Sequence, residues 1–202
     1  MTESGRSRTA GARRQRRETT DLRSDAARNR ARVLEVARAQ LLAGDNSLQH
    51  NTIARLAGVG VGTVYRHFPT RRSLLEALAA QSFTKLVETA QQACSQSDAG
   101  VGLRQLLEHA LTLVLEDDGL ALVLASPDFE TMESLDLGEE LTGLIDTMLQ
   151  RARRAGAIRK TIKTDDIRRM LVGTAYALRA GSYNRARVRA YLDVWMDGLR
   201  IK

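Results

Sequence analysis

Apolar side chains recur three and four residues apart along almost the whole chain, and no stretch sustains an apolar–polar alternation of period two. A 3.6-residue period gathers side chains on one face of a helix, whereas a strand needs a period of two. The pattern therefore predicts an all-α protein of about nine helices. Aromatics make up only 4% of the residues, which also disfavours strands. The first helix is expected over Asp25–Ala43, with Ser24 as its cap, with Val33, Val36, Ala37 and Leu41 inward and Gly44 as its stop. A long helix should follow Pro69 and run to Cys94, with a polar break over Ser95–Gly100. Later apolar patterns lie between Leu103 and Val114, Leu120 and Ala125, Leu135 and Ala155, Asp165 and Ala180, and Arg187 and Ile201, with no internal repeat.

Charge divides the chain. Residues 1–72 hold 15 arginines, no lysine and 6 acids, a net of +9; residues 73–202 carry a net of −2, giving +7 in all. A basic head on a near-neutral body is the electrostatic footprint of nucleic-acid binding, although an anionic membrane would attract it too. Residues 1–24 read as a disordered arginine-rich arm with too little apolar surface to fold alone. Such an arm can enter a DNA minor groove or remain a solvated tail.

Within the head, His50–Phe68 has the parts of a helix-turn-helix. Ile53, Ala54 and Ala57 line one face of a short helix, Ala54 being small where two backbones must approach. Gly58 suits a turn that demands positive φ. Val59 and Val64 then fill the wedge, Val64 and Phe68 stand four residues apart on the second helix, and that helix is free to present its N-terminal end to a major groove.

Ala57–Pro69 reads AGVGVGTVYRHFP and is followed by TRRSLL, a run that resembles the DNA-binding segment of the TetR family of transcriptional regulators. Arg32–Leu42 resembles the family's first helix, and the likeness covers about Ala27–Ala80. The resemblance implies that Thr63, Tyr65 and His67 hold phosphates or base edges, that Arg71 grips the DNA backbone, and that His50 and Asn51 reach bases. Three positions depart from the family pattern. Gly60 replaces a serine cap, Gln49 replaces a threonine or serine cap, and Arg72 replaces an acid, adding positive charge beside the DNA. On the groove face itself, methyl groups of Val61 and Thr63 can meet thymine methyls, and Gly62 permits close approach. Hydrogen-bonded readout then falls to Asn51, which can pair with adenine, and to Arg66.

This reading places the DNA-binding domain at 25–72 and an effector-binding and dimerisation domain at 73–202. The body offers Phe83, Leu86, Leu107, Leu111, Leu124, Met132, Leu144 and Met148 for an apolar pocket, with His109 or Tyr176 to orient a largely hydrophobic small molecule. Phe83, His109, Met132 and Tyr176 are the expected ligand contacts. The family resemblance implies a repressor that binds a palindromic operator as a homodimer. The last two helices are expected to pair, with Gly173, Ala175 and Gly181 allowing close approach. An architectural DNA-binding protein without an effector is the rival reading. A single cysteine precludes an internal disulfide, and no metal cluster, phosphate-cradling loop or nucleophile elbow points to an enzyme, a cofactor or a metal. Without a long apolar run or a signal-peptide core, a cytoplasmic protein with no membrane partner is expected.

Overall fold

The computed structural model describes residues 24–200, so the expected arm lies outside the described residues except for Ser24, which is already helical. Nine helices and no strand occur among them: α1 over residues 24–42, α2 His50–Ala57, α3 Val61–His67, α4 Arg71–Cys94, α5 Ala99–Glu116, α6 Asp118–Ala125, α7 Met132–Arg154, α8 Thr164–Arg179 and α9 Arg185–Leu199. None is long and apolar enough to cross a membrane. The chain divides into two compact units at Arg71–Arg72.

The helix ends follow from local chemistry. Asp98 accepts hydrogen bonds from the backbone N–H groups of Gly100 and Val101, starting α5 four residues before its first leucine. Asp117 ends α5 and caps α6, while Thr131 and Asn184 cap α7 and α9. Those caps explain why α6, α7 and α9 all begin earlier than the apolar pattern alone predicts. Gly58 closes α2 at φ 65°, and Gly156, at φ 68°, follows α7 where the Ala157 N–H returns to the Ala152 carbonyl.

In the first unit, Val33, Ala37 and Leu41 of α1 are buried, as are Leu48, Ile53, Ala54, Val64 and Phe68; Val36 is half-buried. Leu48 has φ 47° and is fully buried. The backbone there accepts a left-handed conformation, and the side chain enters the core just before α2. In the second unit α5 is the hub, packing against α6, α7, α8 and α9 with Leu103, Leu106, Leu107, Ala110, Leu111 and Val114 all buried.

A buried carboxylate organises one end of this unit. Glu76 of α4 is 1% exposed and accepts hydrogen bonds from the backbone N–H groups of Glu130 and Thr131, the Thr131 hydroxyl and Arg72 Nε, at 2.6–2.9 Å. Burial alone would push its carboxyl up. The four donors outweigh that cost and hold it below the ordinary glutamate value. Arg72 also donates to the Val123 carbonyl and lies over the Phe129 ring. The expectation that Arg72 adds positive charge beside the DNA is therefore corrected: its charge is paired with Glu76 and its guanidinium is tied into the body.

Candidate nucleic-acid interface

Helix α3 is anchored by one residue and open elsewhere. Val64 is fully buried, while Val61, Gly62, Tyr65 and Arg66 are exposed and Thr63 is half-buried. A Cβ at Gly62 would meet nothing, so the backbone there is bare to an incoming surface. Gly60 and Gln49 are the N-caps of α3 and α2, and neither supplies a side-chain cap. The side chains of Asn51, Tyr65 and Arg66 have no hydrogen-bond partner among the described residues, which leaves an amide, a phenol and a guanidinium available. Asn51 stands exposed in the first turn of α2.

His50 behaves differently from the expectation that it reaches bases. It is 9% exposed, and its Nε2–H donates to the Phe68 carbonyl at 2.7 Å. Its ring stacks on Tyr65, with centroids 4.6 Å apart and planes inclined by 17°. The physical reason is its place at the first position of α2, where α3 returns to end at Phe68. The imidazole bridges the two helices and supports Tyr65 from below. Arg71 is similarly engaged: its Nε and Nη2 both donate to the Asn46 carbonyl, at 2.9 and 2.6 Å, leaving the Nη1 edge for a phosphate. His67 is half-buried, with its ring tilted against Phe68. The residue the sequence reading missed is Arg30, whose guanidinium lies 5.4 Å from the Phe68 ring centre. An arginine on a polar helix face gives no sequence signal of that contact.

The four expected ligand contacts do not converge. Phe83 is buried against Phe129, with ring centroids 5.5 Å apart. Met132 and Tyr176 are exposed, by 72% and 78%, on α7 and α8. Of the four, His109 alone lines a cavity of about 520 Å³ between α5 and the start of α9, in which neither Phe83, Met132 nor Tyr176 takes part. Apolar periodicity identifies residues that leave water but does not distinguish a pocket wall from solid core. Ala175, expected at a subunit contact, is 1% exposed and faces the body's own interior. No cluster of metal-ligating side chains occurs among the described residues.

Two family models match the chain: the bacterial regulatory proteins of the tetR family over residues 33–78, and the C-terminal domain of SbtR-like transcriptional regulators over residues 98–201. Among solved structures, the chain is similar to a TetR transcription regulatory protein from Mycobacterium vanbaalenii, at 32% identity over 89% of this chain and 99% of that one, with a TM-score of 0.43. It is also similar to the TetR transcriptional regulator SCO0520 from Streptomyces coelicolor, at 26% identity over 87% and 98%, with a TM-score of 0.51. A tetR family regulator from Shewanella sp. PV-4 shares the fold at 20% identity over 86% and 99%, with a TM-score of 0.61. No curated protein matches the sequence. The second family model alone spans more than half of the chain, and together with the exposed reading helix it shows that this protein belongs to the TetR family of DNA-binding transcriptional regulators.

Proposed function

We propose that the protein is a cytoplasmic repressor that binds a palindromic operator as a homodimer and is released from it by a small molecule with a largely apolar body. The observation that carries this reading is α3, held by buried Val64 while Val61, Gly62, Tyr65 and Arg66 remain exposed. Residues 25–72 act as the DNA-binding domain. Val61, Gly62 and Thr63 face base edges, Asn51 and Arg66 supply hydrogen-bonded readout, and Tyr65, His67 and Arg71 hold phosphates.

Residues 73–202 bind the effector and form the dimer. Pairing is supported by the outer faces of the last two helices. Gly173, Tyr176, Ala177 and Ala180 share one stripe of the α8 region, and Tyr191, Val194 and Gly198 share one stripe of α9; Tyr176, Ala177, Tyr191 and Val194 are exposed. A Cβ at Gly173 or Gly198 would meet nothing, so a partner helix has room to approach. Val194, 70% exposed, shares its stripe with exposed Tyr191, an apolar surface that a subunit contact would cover. A two-fold dimer sets its α3 helices about 34–36 Å apart, one turn of DNA. A ligand that favours a state with different spacing releases the operator, because it binds the two states unequally.

Selection of bound fragments from genomic DNA, followed by footprinting, tests the reading. Enrichment of one palindromic site with a discrete footprint is the expected result. Uniform binding driven only by salt, without a footprint, would replace it with an architectural role.

A further inference from the structure

One wall of the cavity in the body is anionic and the facing wall carries a cation. On α5, Glu108 and Glu116 stand two turns apart, about 12 Å along the helix axis. Arg189 partly compensates Glu108, its Nε lying 3.8 Å from the carboxylate. Glu116 has no partner among the described residues. Arg185, which lines the opposite wall in the first turn of α9, has none either.

Each charge stands at an end of its own helix. A helix C-terminus carries partial negative charge and disfavours a glutamate, yet Glu116 is the last residue of α5. A helix N-terminus is partially positive and disfavours an arginine, yet Arg185 is the first residue of α9. The stability of α9 therefore does not account for Arg185, whereas Glu116 directly precedes Asp117, the cap of α6, whose N-terminus tolerates a carboxylate. Towards a ligand, the α9 end reinforces Arg185 in attracting an anion. The last carbonyls of α5, at Val114 and Leu115, already accept from Arg179, so Glu116 attracts a cation by its own charge. Between them the cavity offers Leu113, Val188 and the half-exposed Tyr183, together with His109, whose Nδ1–H donates to the Gln105 carbonyl and leaves Nε2 free. A volume of about 520 Å³ lies within the range of small-molecule sites.

The site is separate from the proposed dimer face. On α9 the buried stripe of Val188, Leu192 and Trp195 lies between Arg185 and Arg189 on one side and Tyr191, Val194 and Gly198 on the other.

We infer that this cavity binds a small zwitterion with an apolar body, its ammonium directed to Glu116 and its carboxylate to Arg185. The inference rests on the effector reading only in giving the bound molecule a consequence for DNA. Calorimetry on the full-length protein, with L-leucine and L-phenylalanine as probes, tests the binding. Phenethylamine and 3-phenylpropionate serve as analogues that each lack one charge. The amino acids should bind, and either analogue should bind about fivefold or more weakly than phenylalanine. Glu116→Gln should abolish the preference for phenylalanine over 3-phenylpropionate, and Arg185→Gln its preference over phenethylamine. Both positions are exposed and have no partner among the described residues, so the variants should keep the wild-type melting temperature and operator affinity. Absence of binding by both amino acids, equal binding of an analogue, or variants without effect would overturn the inference. Operator release, followed by fluorescence anisotropy, is read separately: zwitterion binding without release sustains this site and refutes the effector reading, whereas release by other compounds alone does the reverse.

Discussion

His50 shows how much one side chain can be redirected by its neighbours. Its ring is held by the Phe68 carbonyl and by Tyr65, which places it to position α3. His50→Ala leaves a buried carbonyl unpaired, a cost of about 1–3 kcal/mol, and should weaken binding to matched and mismatched operators alike. Asn51→Ala should instead relax preference at one base position by about 1–3 kcal/mol. Titration of both variants against an operator and its single-base mismatches separates the roles; a specificity change in His50→Ala would return that residue to the reading face. Glu76 is the other residue whose environment decides its role. Because its folded-state pKa lies below the ordinary glutamate value, it stabilises the body fully above that ordinary value, and the contribution is lost as pH falls through the lower folded one. Glu76→Gln presents an amide donor to groups that already donate, so it should cost about 1–3 kcal/mol at neutral pH. It should also remove part of the acid dependence. Urea unfolding at neutral pH and again in mild acid checks both, and a variant with the wild-type pH slope would show that Glu76 is not the titrating group.

At the scale of elements, α8 and α9 each bury one stripe and leave an opposite one uncovered. Ile167, Leu171, Ala175 and Leu178 turn inward on α8, as Val188, Leu192, Trp195 and Leu199 do on α9. Periodicity located the two helices but not their faces, since Ala175, expected at the subunit contact, belongs to the inward stripe. Of the outer ones only Gly173 was picked out for that contact, because glycine, alanine and tyrosine carry no strong apolar signal. Placing a carboxylate in this face by Val194→Asp should shift sedimentation from dimer to monomer, since the charge would be desolvated without a partner. Operator affinity should fall with it, because a monomer reaches only one half-site. A variant that stays dimeric would move the subunit interface to another surface.

The whole molecule is a basic head joined to a near-neutral body, and its affinity for DNA should carry the salt dependence of that charge. Deleting residues 1–23 removes seven arginines. Every phosphate that the shortened protein no longer neutralises lowers the slope of log affinity against log salt by roughly 0.9, and an unchanged slope would show that the arm neutralises none. The all-α class, the turn at Gly58 and the reading helix were legible in the sequence. They depend on local rules: helical period, a backbone conformation that glycine accepts, and a short motif whose residues act within one element. The starts of α5, α6, α7 and α9 were misplaced because capping aspartate, threonine and asparagine side chains extend helices beyond their apolar pattern. What only tertiary structure decided are the meetings of distant residues, His50 with Phe68 and Glu76 with Thr131, and the lining of one cavity by both Glu116 and Arg185. A polar side chain carries its chemistry in its own identity, but its partner is chosen by how the chain returns in space.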